Sequence, residues 1–243
     1  RPMPPRASAA ANRAEAVTQR PSSHAVILDL DGTLLDTEAV DRRISPASAA
    51  RVGFQFDDEF YLSLVGHNNA DFEAALQRRF GPEFPLDVYK QHRIEMWQQQ
   101  ISERGIPIIP GTHELLDFLE TEQLPFAIAT SSYDYQAELK LRVTGLAPRI
   151  QHVITANDVA APKPAPDIHL EAARRLGVAA ERCIAVEDSD VGVRAAAAAG
   201  MVVLMVPNLK PPAADSLSAA HRILRTLHEV PATVRMIIRG RNA

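Results

Sequence analysis

Residues 25–38 read AVILDLDGTLLDTE. The run AVILDL (25–30) is apolar without alternation until it meets aspartate, the pattern of a short parallel strand buried on both faces. Asp29 and Asp31 stand two apart at the end of that strand, so a period of two sends both side chains the same way. Gly32 lets the chain turn sharply, and Thr33 stands where backbone N–H groups can be aimed into the turn. Two carboxylates this close suit a reaction in which one attacks phosphorus and the other protonates the departing oxygen.

Working outward, similar apolar runs recur at FAIAT (126–130), HVIT (152–155), CIAVE (183–187) and VVLMV (202–206), with HRIL (221–224) as a short final strand. Helical patterns lie between them at 114–122, 135–143, 167–176 and 191–199. Gly145, Gly177 and Gly200 follow the last three, where helix C-caps favour glycine. Strand and helix in alternation predict an α/β fold with a doubly wound parallel sheet, a Rossmann-like core whose ligands bind beyond the carboxyl ends of the strands. Residues 40–105 break the alternation. They hold helical stretches at 71–80 and 86–101 and no strand, so a helical cap inserted after the first strand is expected over the ligand end. The expected division is a flexible leader at 1–23, a catalytic core at 24–39 and 106–243, and a cap at 40–105. Thr226 and Glu229 have the spacing of a capping box for a last helix.

Three more segments carry chemistry at predicted strand ends. At ATSS (129–132), Thr130 and Ser131 precede a helix, and the N–H groups there form an anion site. In APKPAPD (161–167), Pro162, Pro164 and Pro166 are expected to hold the backbone extended and to aim Lys163, a point cation able to balance phosphoryl charge. In VEDSDVG (186–192), Glu187 and Asp188 end a buried strand, where adjacent like charges are costly without a cation. A hard divalent ion on carboxylate and carbonyl oxygens fits magnesium. In the cap, Gly66, His67, Asn68 and Asn69 form a polar cluster after LSLV, expected to face the site and read the leaving group.

Composition narrows the partners. The chain has 243 residues, a formal net charge of −4 and 46% hydrophobic residues. It therefore carries no overall basic field to gather nucleic acid or an anionic membrane surface. One cysteine, Cys183, permits no intramolecular disulfide and suits a reducing, cytoplasmic setting. No apolar run approaches the roughly 20 residues of a membrane span. The segment 1–23, rich in Ala, Pro, Ser and Arg, lacks the apolar run of a signal peptide. The expected partner is a small organophosphate, with the protein a monomer or weak homodimer.

All four segments, in this order, resemble the motifs of the haloacid dehalogenase superfamily, in its branch with a helical cap after the first strand. The resemblance covers about residues 24–225. It implies Asp29 as nucleophile, Asp31 as acid/base, and Thr130 and Lys163 as phosphate-binding and charge-stabilising groups. It also implies Mg2+ held by Asp188, Asp29 and the Asp31 carbonyl, with Glu187 acting through a metal-bound water. Within the branch, LPFAIATSS (124–132) and GMVVLMVPN (200–208) look like pseudouridine monophosphate phosphatases. The beta-phosphoglucomutase pattern is broken at Tyr133 (lysine in mutases), Asn69 (arginine) and Asp41 (histidine). The resemblance thus implies a magnesium-dependent phosphatase acting on a small sugar- or nucleoside-phosphate-like ester through an aspartyl phosphate. A mutase, or a binding protein on the same scaffold, stands as the alternative.

Overall fold

The computed structural model describes residues 24–65 and 69–241. The expectations for 1–23, for Gly66, His67 and Asn68, and for the side chain of Asn69 lie outside the described residues. Among the described residues, six parallel strands form one sheet: β1 (Ala25–Leu28), β2 (Phe126–Ala129), β3 (Val153–Ile154), β4 (Cys183–Glu187), β5 (Val202–Met205) and β6 (Arg222–Ile223), in the order β3-β2-β1-β4-β5-β6. The order reverses at β1, which pairs Val26 with Phe126 on one side and with Ile184 on the other. Such a switch point opens a crevice beyond the strand ends.

The strands are apolar on both faces because both faces are covered. On one, Val26, Leu28, Ile128, Ile184 and Leu204 pack with α5 (Thr112–Thr121), α6 (Asp134–Val143) and α10 (Val230–Arg241). On the other, Ala25, Ile27, Ala127, Ala185 and Val203 pack with α7 (Asp167–Leu176) and α8 (Asp190–Ala198). The small residues on this second face let those helices approach closely. As expected, Gly145, Gly177 and Gly200 follow helix ends with positive φ.

Between β1 and β2 the chain first makes four helices: α1 (Thr37–Arg51), α2 (Asp58–Leu64), α3 (Asn69–Phe80) and α4 (Leu86–Arg104). They bury an apolar cluster of their own, including Phe56, Tyr61, Leu76, Phe84 and Tyr89. The expected boundary at 39/40 falls inside α1, which the sequence conceals because Pro46 lies within the helix and removes one of its donors. The last short helix before α10, α9, spans Ala214–Ala219. The capping box expected at Thr226 is not made: Glu229 accepts the Arg225 N–H at 3.1 Å, and a 3-10 turn at Leu227–Glu229 leads into α10.

Phe84 is the hub of the cap cluster, with ring centroids 5.1 Å from Phe54, 5.1 Å from Phe80 and 5.3 Å from Tyr89. Phe84→Ala should cost about 3–5 kcal/mol by leaving a cavity among these rings. Urea unfolding checks this, and a loss below about 1 kcal/mol would show that the cluster does not hold the cap.

Candidate active site

β1, β2 and β4 end together, and the buried Lys163 ties their ends to one another. Its ammonium donates to Asp29 Oδ1 at 2.6 Å, to Glu187 Oε1 at 2.8 Å and to the Ala129 carbonyl at 3.1 Å. The loop that delivers it is turned, not extended as expected, since the Pro162 carbonyl accepts the Ala165 N–H at 2.9 Å. Facing two carboxylates, Lys163 has its pKa raised even though burial opposes this.

Behind Lys163, His169 Nε2 lies 2.8 Å from the same Glu187 oxygen, and its ring is wholly buried. Burial keeps this imidazole below its ordinary pKa, hence neutral, and Nε2 is then the donor to Glu187. Glu187 Oε2 is buried without a partner beside Gly192, where any Cβ would stand 1.8 Å from it. Gly32 plays the same part for Asp188: φ is +85° and a Cβ would lie 2.1 Å from Asp188 Oδ2. The Gly32 N–H is given to the Leu35 carbonyl at 2.8 Å, so it does not face a phosphate; the residue serves by letting Asp188 approach.

Asp29, Glu187 and Asp188 each place a carboxylate oxygen within 4.8 Å of the others, all buried. Burial, then the charge of Glu187, push Asp29 up to about 7 against the pull of Lys163. Asp188 is raised well above the usual range by burial and by Asp29, Glu38 and Glu187. With one ammonium among three carboxylates, this donor set suits a hard divalent cation, and the partnerless Glu187 Oε2 offers an acceptor for a metal-bound water.

Asp31 has separate partners. The strand ends at Leu28, before both aspartates, and both line the same cavity. Asp31 Oδ1 accepts from Lys140 Nζ at 2.6 Å and Thr37 Oγ1 at 2.9 Å; Oδ2 accepts from Ser132 Oγ at 2.7 Å and Thr130 Oγ1 at 3.2 Å. Burial favours the acid form, but the Lys140 charge and these donors prevail and hold the carboxyl below its ordinary pKa. Thr130 thus contacts Asp31. The anion site expected at the start of α6 is largely used up. The Ser132, Tyr133 and Asp134 N–H groups go to Thr130 Oγ1, Gln136 Oε1 and Asn157 Oδ1. Ser131 is exposed and lines the cavity.

Sequence reasoning missed Lys140, Ser132, His169 and the cap wall. Lys140 could have been found as one of four lysines among 26 basic residues, on the α6 face that carries Gln136. Above the carboxylates lies a cavity of about 460 Å³ between core and cap. On the cap side, Asp41 Oδ1 accepts from Arg93 Nε and Nη2 at 3.0 and 2.6 Å and from Trp97 Nε1 at 3.0 Å, and Oδ2 accepts from Ser45 at 2.9 Å. Glu38 Oε2 accepts from the Tyr61 hydroxyl at 3.1 Å.

The pattern that defines the haloacid dehalogenase-like hydrolases matches residues 26–206, most of the chain. The chain belongs to that family. The bifunctional riboflavin kinase/FMN phosphatase of Arabidopsis thaliana is 29% identical over 209 residues, 86% of this chain and 54% of that protein, so the chain spans about half of that relative. The fructose-1-phosphate phosphatase YqaB of Escherichia coli is 30% identical over 178 residues, 72% of this chain and 92% of YqaB. Among solved structures, CbbY from Rhodobacter sphaeroides in complex with phosphate has a TM-score of 0.71 at 27% identity, covering 86% of this chain and 96% of that one.

The cap-side Glu38 generates a pH test. Burial, then the charges of Asp41 and Asp31, raise it from 4.5 to about 7. The folded state therefore holds the Glu38 proton more tightly than the unfolded state. This advantage is complete below about pH 4.5 and is lost as pH rises through about 7. Glu38→Gln cannot ionise and should match the parent near pH 4.5, then exceed it by up to about 3 kcal/mol near pH 8. Urea unfolding of both proteins at both pH values checks the difference, and a variant no more stable than the parent at pH 8 would refute it.

Proposed function

We propose that this hydrolase is a magnesium-dependent phosphatase that cleaves a small phosphate monoester through an aspartyl phosphate on Asp29. The observation that carries the reading is the buried cluster of Asp29, Glu187 and Asp188, of which Asp29 and Glu187 pair with the buried ammonium of Lys163 beside the cavity. Such a cluster favours an added cation and an anionic, electrophilic guest. The residues that would hold magnesium are Asp29, Asp188 and the Asp31 carbonyl, with Glu187 acting through a bound water. The ion would supply positive charge that keeps the carboxylates ionised and draws electrons from the phosphoryl oxygens.

Lys163 occupies Asp29 Oδ1, so attack is assigned to Oδ2. As the new O–P bond forms, the bond to the leaving oxygen breaks, and Asp31 delivers a proton to that oxygen. Before substrate arrives, Asp31 is held ionised by Lys140. A monoanionic ester brings both the proton and a competing anion: its phosphoryl oxygens draw Lys140, Ser132 and Thr130, and the proton passes to Asp31. In the second half Asp31 takes a proton from water, which attacks phosphorus, releases inorganic phosphate and restores Asp29. Thr130, Ser131 and Lys163 complete the support of the equatorial oxygens.

Hydrolysis is favoured over phosphoryl transfer between two sugar positions. A mutase must hold a bisphosphate at a second cationic site, whereas the cap-side Arg93 is already paired with Asp41 and the nearby Glu38 adds further acid. Incubation with beta-glucose 1-phosphate and a trace of the 1,6-bisphosphate should give inorganic phosphate faster than glucose 6-phosphate; the reverse order would replace the phosphatase by a mutase. A binding protein on the same scaffold would turn over nothing. Magnesium-dependent release of p-nitrophenol from p-nitrophenyl phosphate, lost at least about 10³-fold in a folded Asp29→Asn variant, is the expected result. Retained turnover in that variant would remove Asp29 from its role. Asp188→Asn should raise the magnesium needed for half-maximal activity at least about tenfold. An unchanged requirement would count against Asp188 as a ligand.

A further inference from the structure

Two of the helices that line the cavity each do so with one face. On α6 these residues are Tyr135, Gln136, Leu139 and Lys140; on α4, Arg93, Ile94, Trp97 and Gln98, continued by Ile101. Both sets have the i, i+1, i+4, i+5 spacing of a single helix stripe. The two ends of the α6 stripe differ in chemistry. Lys140, at one end, holds Asp31 at the reacting centre. Tyr135, at the other, is 68% exposed, and its ring lies nearly parallel to that of Tyr133, itself 41% exposed, at 6.4 Å between centroids and 9° between planes. Ile94, on the cap's side of the same cavity, is 58% exposed.

Large exposed side chains at a cavity that also holds acids are poorly explained by folding, since none of the three is buried by it. Their backbone is held firmly. The Tyr133 and Asp134 N–H groups are each capped by a side-chain oxygen at 3.0 Å, so the first turn of α6 presents both rings in place. Tyr135 precedes Lys140 by five residues, about 7.5 Å along a helix axis, a distance comparable to the span of a pentose. Glu38, Gln98 and Gln136 also line the cavity and offer partners for hydroxyl groups.

We propose that Tyr135, backed by Tyr133 and faced by Ile94, is a specificity platform on which a planar aromatic ring of the leaving group stacks. Resting on the phosphatase reading, this names the substrate class: esters in which a pentose or pentitol joins the phosphate to a heterocycle. The phosphate sits at Asp29, the polyol crosses the polar middle of the cavity, and the ring covers the exposed tyrosine. A sugar phosphate with no ring leaves Tyr135 in water and gains nothing from it. Stacking on an aromatic side chain tolerates many rings, because each has a π face.

The test uses matched pairs of esters that differ by the ring: ribose 5-phosphate against uridine 5′-monophosphate, and ribitol 5-phosphate against riboflavin 5′-phosphate. Phosphate release gives kcat/KM for each. The full chain with magnesium should prefer the ring-bearing member of at least one pair by about tenfold or more. Tyr135→Ala should lower that preference ratio about tenfold, chiefly through KM, and Tyr135→Phe should restore it, since the face and not the hydroxyl is used. Equal kcat/KM within both pairs, or a ratio unmoved by Tyr135→Ala, would overturn the platform while leaving the phosphatase standing. Turnover of p-nitrophenyl phosphate with release from none of the four would overturn the platform alone; release from none of the five would overturn both readings.

Discussion

The ammonium of Lys163 is the point on which the arrangement of this site depends. It lies 5% exposed, in contact with Asp29, Glu187 and the carbonyl that ends β2, and so joins three strand ends that are far apart in sequence. A buried charge is tolerated only when its partners are also in place. Each of the three is in turn arranged around the lysine: Glu187 is braced by His169 and given room by Gly192, and Asp29 extends from the central strand. One ammonium does not neutralise Asp29, Glu187 and Asp188 together. The protein is therefore built with an electrostatic deficit that a divalent cation can fill, and the same deficit repels anions until that cation is present.

Asp31 belongs to a second, adjoining network with its own ammonium. Lys140, Thr37, Ser132 and Thr130 hold both its oxygens. Two aspartates two residues apart thus have opposite electrostatics. Asp29, crowded by carboxylates, has its pKa raised, whereas Asp31, surrounded by donors, has it lowered. Roles that diverge between neighbouring carboxyls require environments that diverge in this way.

The fold divides labour between its two parts. Strand ends hold the clustered carboxylates Asp29, Glu187 and Asp188. The faces of α4 and α6 supply the walls, where side chains can vary without disturbing the sheet. The cap has its own aromatic cluster, so its helices do not draw their stability from the core alone. On the cavity side of the cap, Arg93 is paired with Asp41 of the same cap.

The sequence alone was sufficient to determine the parallel sheet, the core helices that cover it and the strand ends at which Asp29, Glu187 and Asp188 stand. These follow from apolar runs, glycine stops and residue type, and each is set within a few neighbours along the chain. Local pattern failed where a proline hid α1 and where turns, not extended chain, carry Lys163. The tertiary structure alone decided which groups meet. Lys140 reaches Asp31 across 109 residues, Arg93 reaches Asp41 across 52, and His169 reaches Glu187 from the far side of a helix. It also decided that the Ser132, Tyr133 and Asp134 N–H groups at the start of α6 already have partners. The physical reason is that a charge or a hydrogen bond acts through space over a few ångströms, and separation along the chain does not encode that proximity.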